Sequence, residues 1–375
     1  MSDPAFGIYV HWPYCARICP YCDFNVARDR GGDHGALLNA ILADLRAHAA
    51  QLSPRRVDTL FFGGGTPSRL PPADIARIIE AAAAAFGFSA APEISLECNP
   101  EDFEAFAGHA AAGINRFSLG VLALDDEALR RLGRAQHSNT ARRAIERAAK
   151  TGARVSLDLI YAREGQGVEA WRNELRAALS LPVEHLSLYQ LTIEAGTAFA
   201  RAAARGRLSP PNAEEAASLY EVTQEICEEG GFPAYEISNH ARAPAAQSRH
   251  NLLYWRGGEW LGLGPGAHGR FVFHGARRAS AAPRAVTDYI AAVAAGPALA
   301  AAPALTEKET VAEAVLMGLR LREGLDRARL AAYPPPHDQI DALVEAGLLL
   351  AAPDRLTLTA QGRLLADRIA AMLAP

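Results

Sequence analysis

No stretch of this 375-residue chain is apolar for long enough to span a bilayer, and the N-terminus lacks the charged region and small-residue cleavage site of a secretory leader. Neither a membrane-spanning nor an exported protein is expected. Excess charge of either sign is also missing, since 38 Lys and Arg stand against 42 Asp and Glu for a net charge of −4. That balance argues against nucleic acid as the main partner. Cysteine is scarce, and an odd count of five does not make a disulfide framework. A reducing, cytoplasmic setting is expected. No internal repeat is visible, and the abundant Ala and Arg read as compositional bias rather than low complexity. At this length one large domain plus a smaller one is the default.

What cysteine there is falls together. Cys15, Cys19 and Cys22 form a C-x3-C-x2-C array directly after a strand-like run, Phe6–Val10. Thiolates this close on one loop can wrap an inorganic cube, and soft sulfur selects iron–sulfur clusters or zinc. A structural zinc site needs a fourth Cys or His, and the nearest, His11, lies four residues upstream on the strand. Three cysteines leave one iron of a [4Fe–4S] cluster without a protein ligand, open to a chelating cofactor. Zinc remains the alternative on these residues alone. Cys98 and Cys227 have no clustered partners and read as buried small hydrophobes.

Strand-like runs recur at Val57–Phe62, Glu93–Leu96, Arg116–Leu119, Val155–Tyr161 and His185–Gln190. Helical apolar spacing separates them at Leu37–Leu52, Pro72–Phe86, Glu101–Ala112, Thr140–Thr151 and Val168–Leu181. Strands alternating with helices predict βαβ units and a parallel sheet, here an α/β fold with a partial (β/α)6 barrel. In such barrels the carboxyl ends of the strands carry the site. After about Ala195 the pattern changes to a helix at Ala213–Glu229. Ala234–Trp260 then has few periodic features, and Ala279–Pro303 reads as an Ala- and Pro-rich connector. Three helices (Glu307–Arg322, Asp326–Ala332, His337–Ala346), short strands at Leu348–Ala351 and Leu356–Leu358, and a last helix Ala360–Leu373 predict a winged-helix-like module. The expected domains are 1–235 for the core, 236–305 for an irregular segment and connector, and 306–375 for the module.

The C-x3-C-x2-C array after a first strand resembles the radical SAM superfamily signature. The longer string YVHWPYC…CPYCDFN resembles the group that contains oxygen-independent coproporphyrinogen III oxidases and HemW-type haem chaperones. The resemblance implies a [4Fe–4S] cluster on Cys15, Cys19 and Cys22, with S-adenosylmethionine (SAM) on the open iron. By the same resemblance the GGGTP segment, with Gly64, Gly65 and Thr66, holds the methionyl amine. Glu97 in LECNP directs a carboxylate at SAM, and Arg134 in LGRAQHS pairs with its carboxylate. Asp158 in SLDLIYA accepts from a ribose hydroxyl, and Tyr9 and Tyr21 lie beside the cofactor. Outside that family match, each has a plainer reading: a Gly-rich loop, a cap, a surface Arg, a buried Asp needing any partner, or core aromatics.

Two departures stand out. Related sequences read S-L-G-V-Q where this chain has Ser118-Leu119-Gly120-Val121-Leu122, and G-L-P-G-Q where it has Ala162-Arg163-Glu164-Gly165-Gln166. Features that separate the branches of the group favour the chaperone side. The oxidases carry a further cysteine two residues after the third, where this chain has Phe24, and an N-terminal extension, where only fourteen residues precede Cys15. His250-Asn251-Leu252-Leu253-Tyr254-Trp255 resembles the HNxxYW motif of the haem-binding branch, which implies His250 as a haem ligand. The plainer reading is that His250 and Trp255 pin a loop, with His240 and His268 as nearby alternatives. Haem and haem-accepting proteins, respiratory components among them, are the implied partners. Peripheral membrane contact and a homodimer are compatible with this reading. The winged-helix-like module is read as a lid or docking element, not as nucleic-acid binding.

Overall fold

A computed structural model describes residues 5–296 and 302–375. The six expected strands all form: β1 (Phe6–Trp12), β2 (Val57–Gly64), β3 (Phe88–Cys98), β4 (Arg116–Leu122), β5 (Arg154–Tyr161) and β6 (His185–Gln190). They pair in parallel in chain order. Their near-continuous burial is what a parallel sheet covered on both faces requires. The connecting helices include α1 (His34–Ala49), α2 (Pro72–Phe86), α3 (Ser138–Lys150) and α4 (Val168–Leu179). The predicted helix Glu101–Ala112 starts as a 3-10 turn, Pro100–Ala105, and becomes α-helical at Phe106–Ala111.

After α5 (Ala213–Glu229) the chain adds strands at both ends of the sheet. β7 (Asn239–Ala241) pairs antiparallel with β6. Helix α6 (Arg249–Trp255) leads to β8 (Glu259–Leu263), which lies parallel to β1 on the side away from β2. β9 (His268–Phe273) and β10 (Ala276–Ala281) extend that edge antiparallel. The result is a ten-stranded sheet with two separate ends, an incomplete barrel. The connector expected over Ala279–Pro303 is therefore structured along most of its length. It begins within β10 and continues into α7 (Val286–Ala295), whose Tyr289 hydroxyl donates to Asp44 on α1 (2.9 Å). Residues 297–301 of that segment lie outside the described residues.

The C-terminal module comprises α8 (Glu307–Gly318), β11 (Leu325–Asp326), α9 (His337–Glu345), β12 (Leu349–Ala351), β13 (Arg355–Leu358) and α10 (Ala366–Leu373). It has its own core, with Val315, Leu325, Leu356 and Ile369 all but sealed from solvent. The helix predicted at Asp326–Ala332 is instead a strand residue followed by a 3-10 turn. Leu325 pairs with Leu356, and the Asp326 carboxylate caps the Ala328 amide. The last helix divides at Leu364 and Leu365. Among the described residues no helix is long and apolar enough to cross a membrane.

Candidate functional site

The cysteine loop leaves the carboxyl end of β1 and is fastened in three places. Ala27 N–H donates to Pro13 O (2.8 Å) and Asp29 N–H to Cys15 O (2.7 Å), closing the loop on itself. The Asn25 side-chain amide donates to the carbonyls of Pro265 and Arg284, both at 2.9 Å. His11, at the end of β1, holds the Asn25 carbonyl through Nε2 (2.8 Å) and the Tyr9 hydroxyl through Nδ1 (3.0 Å). A turn 240 residues away thus sets the loop, and only the Gly-Pro-Gly string at 264–266 could have signalled it.

All five cysteines are free thiols. Cys15 is buried, while Cys19 and Cys22 are partly open to solvent. Cys15 and Cys22 are both harder to ionise than a free thiol, with the neighbouring Cys19 adding to each. Burial leads that effect, pushing Cys15 up and Cys22 up to about 11. Among the described residues no trio of His, Cys, Asp or Glu is gathered tightly enough for a single metal ion.

The GGGTP segment abuts this loop. Gly65 N–H donates to Trp12 O (2.7 Å) and Thr66 N–H to Tyr14 O (3.0 Å), and the Thr66 hydroxyl lies near the Cys15 thiol and favours its ionised form. Gly64 has φ +108°, and a Cβ there would stand 2.5 Å from the His11 ring. A Cβ on Gly65 would meet the Pro13 carbonyl at 2.7 Å. Gly64→Ala is therefore expected to cost about 1–3 kcal/mol, read by thermal melting. An unchanged melt would remove the close-packing account.

Glu97 lies near the end of β3 and Asp158 midway along β5, both half-buried. Glu97 accepts from Gly64 N–H (3.0 Å), and Asp158 accepts from Ser118 (3.1 Å) and Ser156 (3.4 Å). Burial pushes Glu97 up to about 7 and Asp158 up to about 6. A cationic ligand beside them would draw both back down. The Arg134 guanidinium stands beside Cys15, Cys19 and the Tyr21 hydroxyl. Its Nε is buried with no hydrogen-bond partner among the described residues. A guanidinium Nε without a partner, beside the free thiols of Cys15 and Cys19, fits a cofactor that brings its own carboxylate.

The two departures coincide with two of the three backbone exceptions among the described residues, the third being His274 in a turn. Leu122 (φ +71°) and Ala162 (φ +56°) are non-glycine residues in the left-handed region, at the ends of β4 and β5. Leu122 sits in a small apolar cluster with Leu129, Leu132 and Ile160, where a Gln amide would lie against carbon. The 162–166 loop is held by Glu174 on α4, which pairs with Arg163 and accepts from Gln166 (3.3 Å). Glu174 also accepts from Leu124 N–H (2.7 Å), so one carboxylate fastens both loops. Nothing in the sequence singled it out.

His250 is not with the cysteines. It lies inside the barrel near the amino ends of β1 and β2, against Gly7 and Thr59. Its Nδ1 bonds the Thr59 hydroxyl (2.7 Å), its Nε2 bonds the Tyr254 hydroxyl (2.6 Å), and its ring stacks on Phe61 at 5.0 Å. Burial pushes its pKa down to about 3, so the ring is neutral at any working pH. Both nitrogens are thus engaged in this conformation, an arrangement that pins α6 into the barrel. Trp255 lies under Arg320 of the C-terminal module (4.6 Å). His240 is buried, and His268 is exposed on β9, opposite Ala281 of β10.

An incomplete parallel barrel with a free three-cysteine loop at the carboxyl ends of its strands defines the radical SAM class of protein. Residues 9–178 match the family model "Radical SAM superfamily", and residues 305–365 match "HemN C-terminal domain". The chain is 38% identical to heme chaperone HemW of Mycobacterium tuberculosis, over 98% of this chain and 95% of that protein. It is 36% identical to the mitochondrial radical S-adenosyl methionine domain-containing protein 1 of Bos taurus, over 92% of this chain and 81% of that one. The solved structure of coproporphyrinogen III oxidase (HemN) from Escherichia coli superimposes with a TM-score of 0.82, covering 99% of this chain and 90% of that one at 24% identity, which is a likeness of fold. The chain belongs to the radical SAM superfamily, in the family of the HemW-type relatives. Membership implies a [4Fe–4S] cluster and SAM.

Proposed function

We propose that this chain is a haem chaperone: it holds a [4Fe–4S] cluster on Cys15, Cys19 and Cys22, takes SAM beside it, and binds haem for delivery to acceptor proteins. The observation that carries the reading is its 38% identity along 95% of a protein named heme chaperone HemW. Phe24 supports it: the porphyrinogen oxidases place a further cysteine at that position, and here an apolar ring stands 64% exposed. In this reading Arg134 takes the SAM carboxylate, and the backbone around Gly64, Gly65 and Thr66 takes the amine. Glu97, Asp158, Tyr9 and Tyr21 shape the remainder of that pocket.

His250 serves haem only from a second conformation. Freeing Nε2 for iron breaks its bond to Tyr254, a cost of about 1–3 kcal/mol that ligation must offset. Titration of the full-length protein with haem is expected to reach one equivalent, with affinity lost at least about tenfold in His250→Ala. Unaltered affinity in that variant would remove His250 and turn attention to exposed His268. Anaerobic incubation of reconstituted protein with reductant, SAM and coproporphyrinogen III is the opposing test. Formation of protoporphyrinogen IX would replace the chaperone reading with an oxidase.

A further inference from the structure

On the far side of Tyr254 from His250, the sheet edge and the C-terminal module enclose a cleft of about 190 Å³, away from the cysteine loop. Tyr254, Trp260, Arg277, Thr310, Met317 and Arg329 line it. One wall is aromatic, with Tyr254 set edge-on to Trp260 at 4.6 Å. The opposite wall is cationic and only partly neutralised. Glu313 is taken by Arg270 (2.6 Å) and lies 3.9 Å from Arg277 Nε. The Nη atoms of Arg277 donate to the carbonyls of Gly257 (3.2 Å) and Gly258 (3.3 Å).

Arg329 makes no hydrogen bond or ion pair among the described residues, and Asp326 and Glu313 reach it only at longer range. Burial leads the effects that lower both Arg277 and Arg329, with their mutual repulsion adding to it at Arg329. Two desolvated guanidiniums sharing one already committed carboxylate leave this wall short of an anion. The space is smaller than the ~300–1,000 Å³ pockets that enclose whole drug-sized ligands. It admits an arm with a charged end, not a macrocycle.

We propose that this cleft is a carboxylate site, in which Arg329, supported by Arg277, takes a propionate arm of haem while Tyr254 and Trp260 line its entry. The assignment rests on the haem-binding reading and adds to it the part of the ligand that is recognised and the residues that recognise it. Planar guanidinium is the side chain suited to a carboxylate. Tyr254 is shared between the cleft and His250, so an arm seated here lies against the side chain that holds the imidazole.

The test is a comparison of haem with haem dimethyl ester, which keeps the iron and macrocycle but has no free carboxylate. Full-length wild-type protein is expected to bind haem about tenfold more tightly than the ester. Arg329→Ala should lose about tenfold for haem and nothing for the ester, and Arg329→Lys should fall between. Thr310→Glu, which places a carboxylate in the cleft, should mimic Arg329→Ala without removing a packed side chain. Thermal melts of each variant control for folding. Equal affinity of wild type for haem and ester, or equal losses for both ligands in the variants, would overturn the carboxylate site while leaving haem binding intact. Failure of wild type to bind either ligand would overturn the haem reading and this assignment with it.

Discussion

Cys15→Ala, Cys19→Ala and Cys22→Ala are each expected to abolish retention of iron and sulfide after anaerobic reconstitution, while Cys98→Ala and Cys227→Ala retain them. The contrast follows from placement. The array thiols sit on one loop at the carboxyl end of β1, near enough to influence one another. Cys98 is sealed at the end of β3, and Cys227 is sealed on α5. A cluster with three protein ligands has no spare thiolate to substitute for a lost one, because neither remaining cysteine can reach the loop without unfolding a strand or helix. The surrounding bonds, from Asn25 to Pro265 and from Thr66 to Tyr14, do not use the array sulfurs as essential partners. The apo variants should therefore melt close to the wild-type apo-protein. Full iron content in any of the three would break the ligand assignment. A collapsed melt would mean that the loop, not the cluster, is being measured.

The barrel was legible because its strands are local events. Val57–Gly64 and Arg154–Tyr161 are short apolar runs bounded by turns and helices, and each announces itself within eight residues. β8 did not announce itself. Glu259–Leu263 pairs with Phe6–Val10 across some 250 residues and is crowded by Gly257, Gly258, Gly262, Gly264 and Gly266, which read as loop. The cysteines were legible by spacing. What holds them was not, since Asn25, His11 and the Gly264–Gly266 turn act through backbone carbonyls far apart in sequence. His250 shows the converse. Its motif was conspicuous, yet only the fold reveals that both ring nitrogens are engaged, by Thr59 and Tyr254.

The same helix leads to the largest stability effect expected of a single residue. Glu93, at the amino end of the paired part of β3, is almost wholly buried and binds three donors. One oxygen accepts from His250 N–H (3.0 Å), and the other accepts from Arg249 N–H (3.1 Å) and from Arg154 (2.8 Å). Burial alone would raise its pKa, but Arg116, Arg154 and the two amides outweigh it and hold the carboxyl below its usual value. Glu93→Ala leaves Arg154 and two helix amides without their acceptor and buried Arg116 without its counter-charge, which should cost about 3–5 kcal/mol, or roughly 4–6 °C in melting temperature for a chain of this length. Glu93→Gln keeps an acceptor and should cost less. The pH dependence has a fixed sign. A lowered carboxyl pKa contributes stability that is fully present above the unfolded value of 4.5 and is lost as pH falls through the folded one. The gap between wild type and Glu93→Gln should therefore be constant near neutrality and close in acid. Because the two amides belong to Arg249 and His250, the loss should concentrate in α6, where amide exchange in Glu93→Ala should accelerate well before the barrel strands respond. Uniform acceleration across the sheet would mean that Glu93 supports the barrel as a whole rather than the docking of the His250 helix.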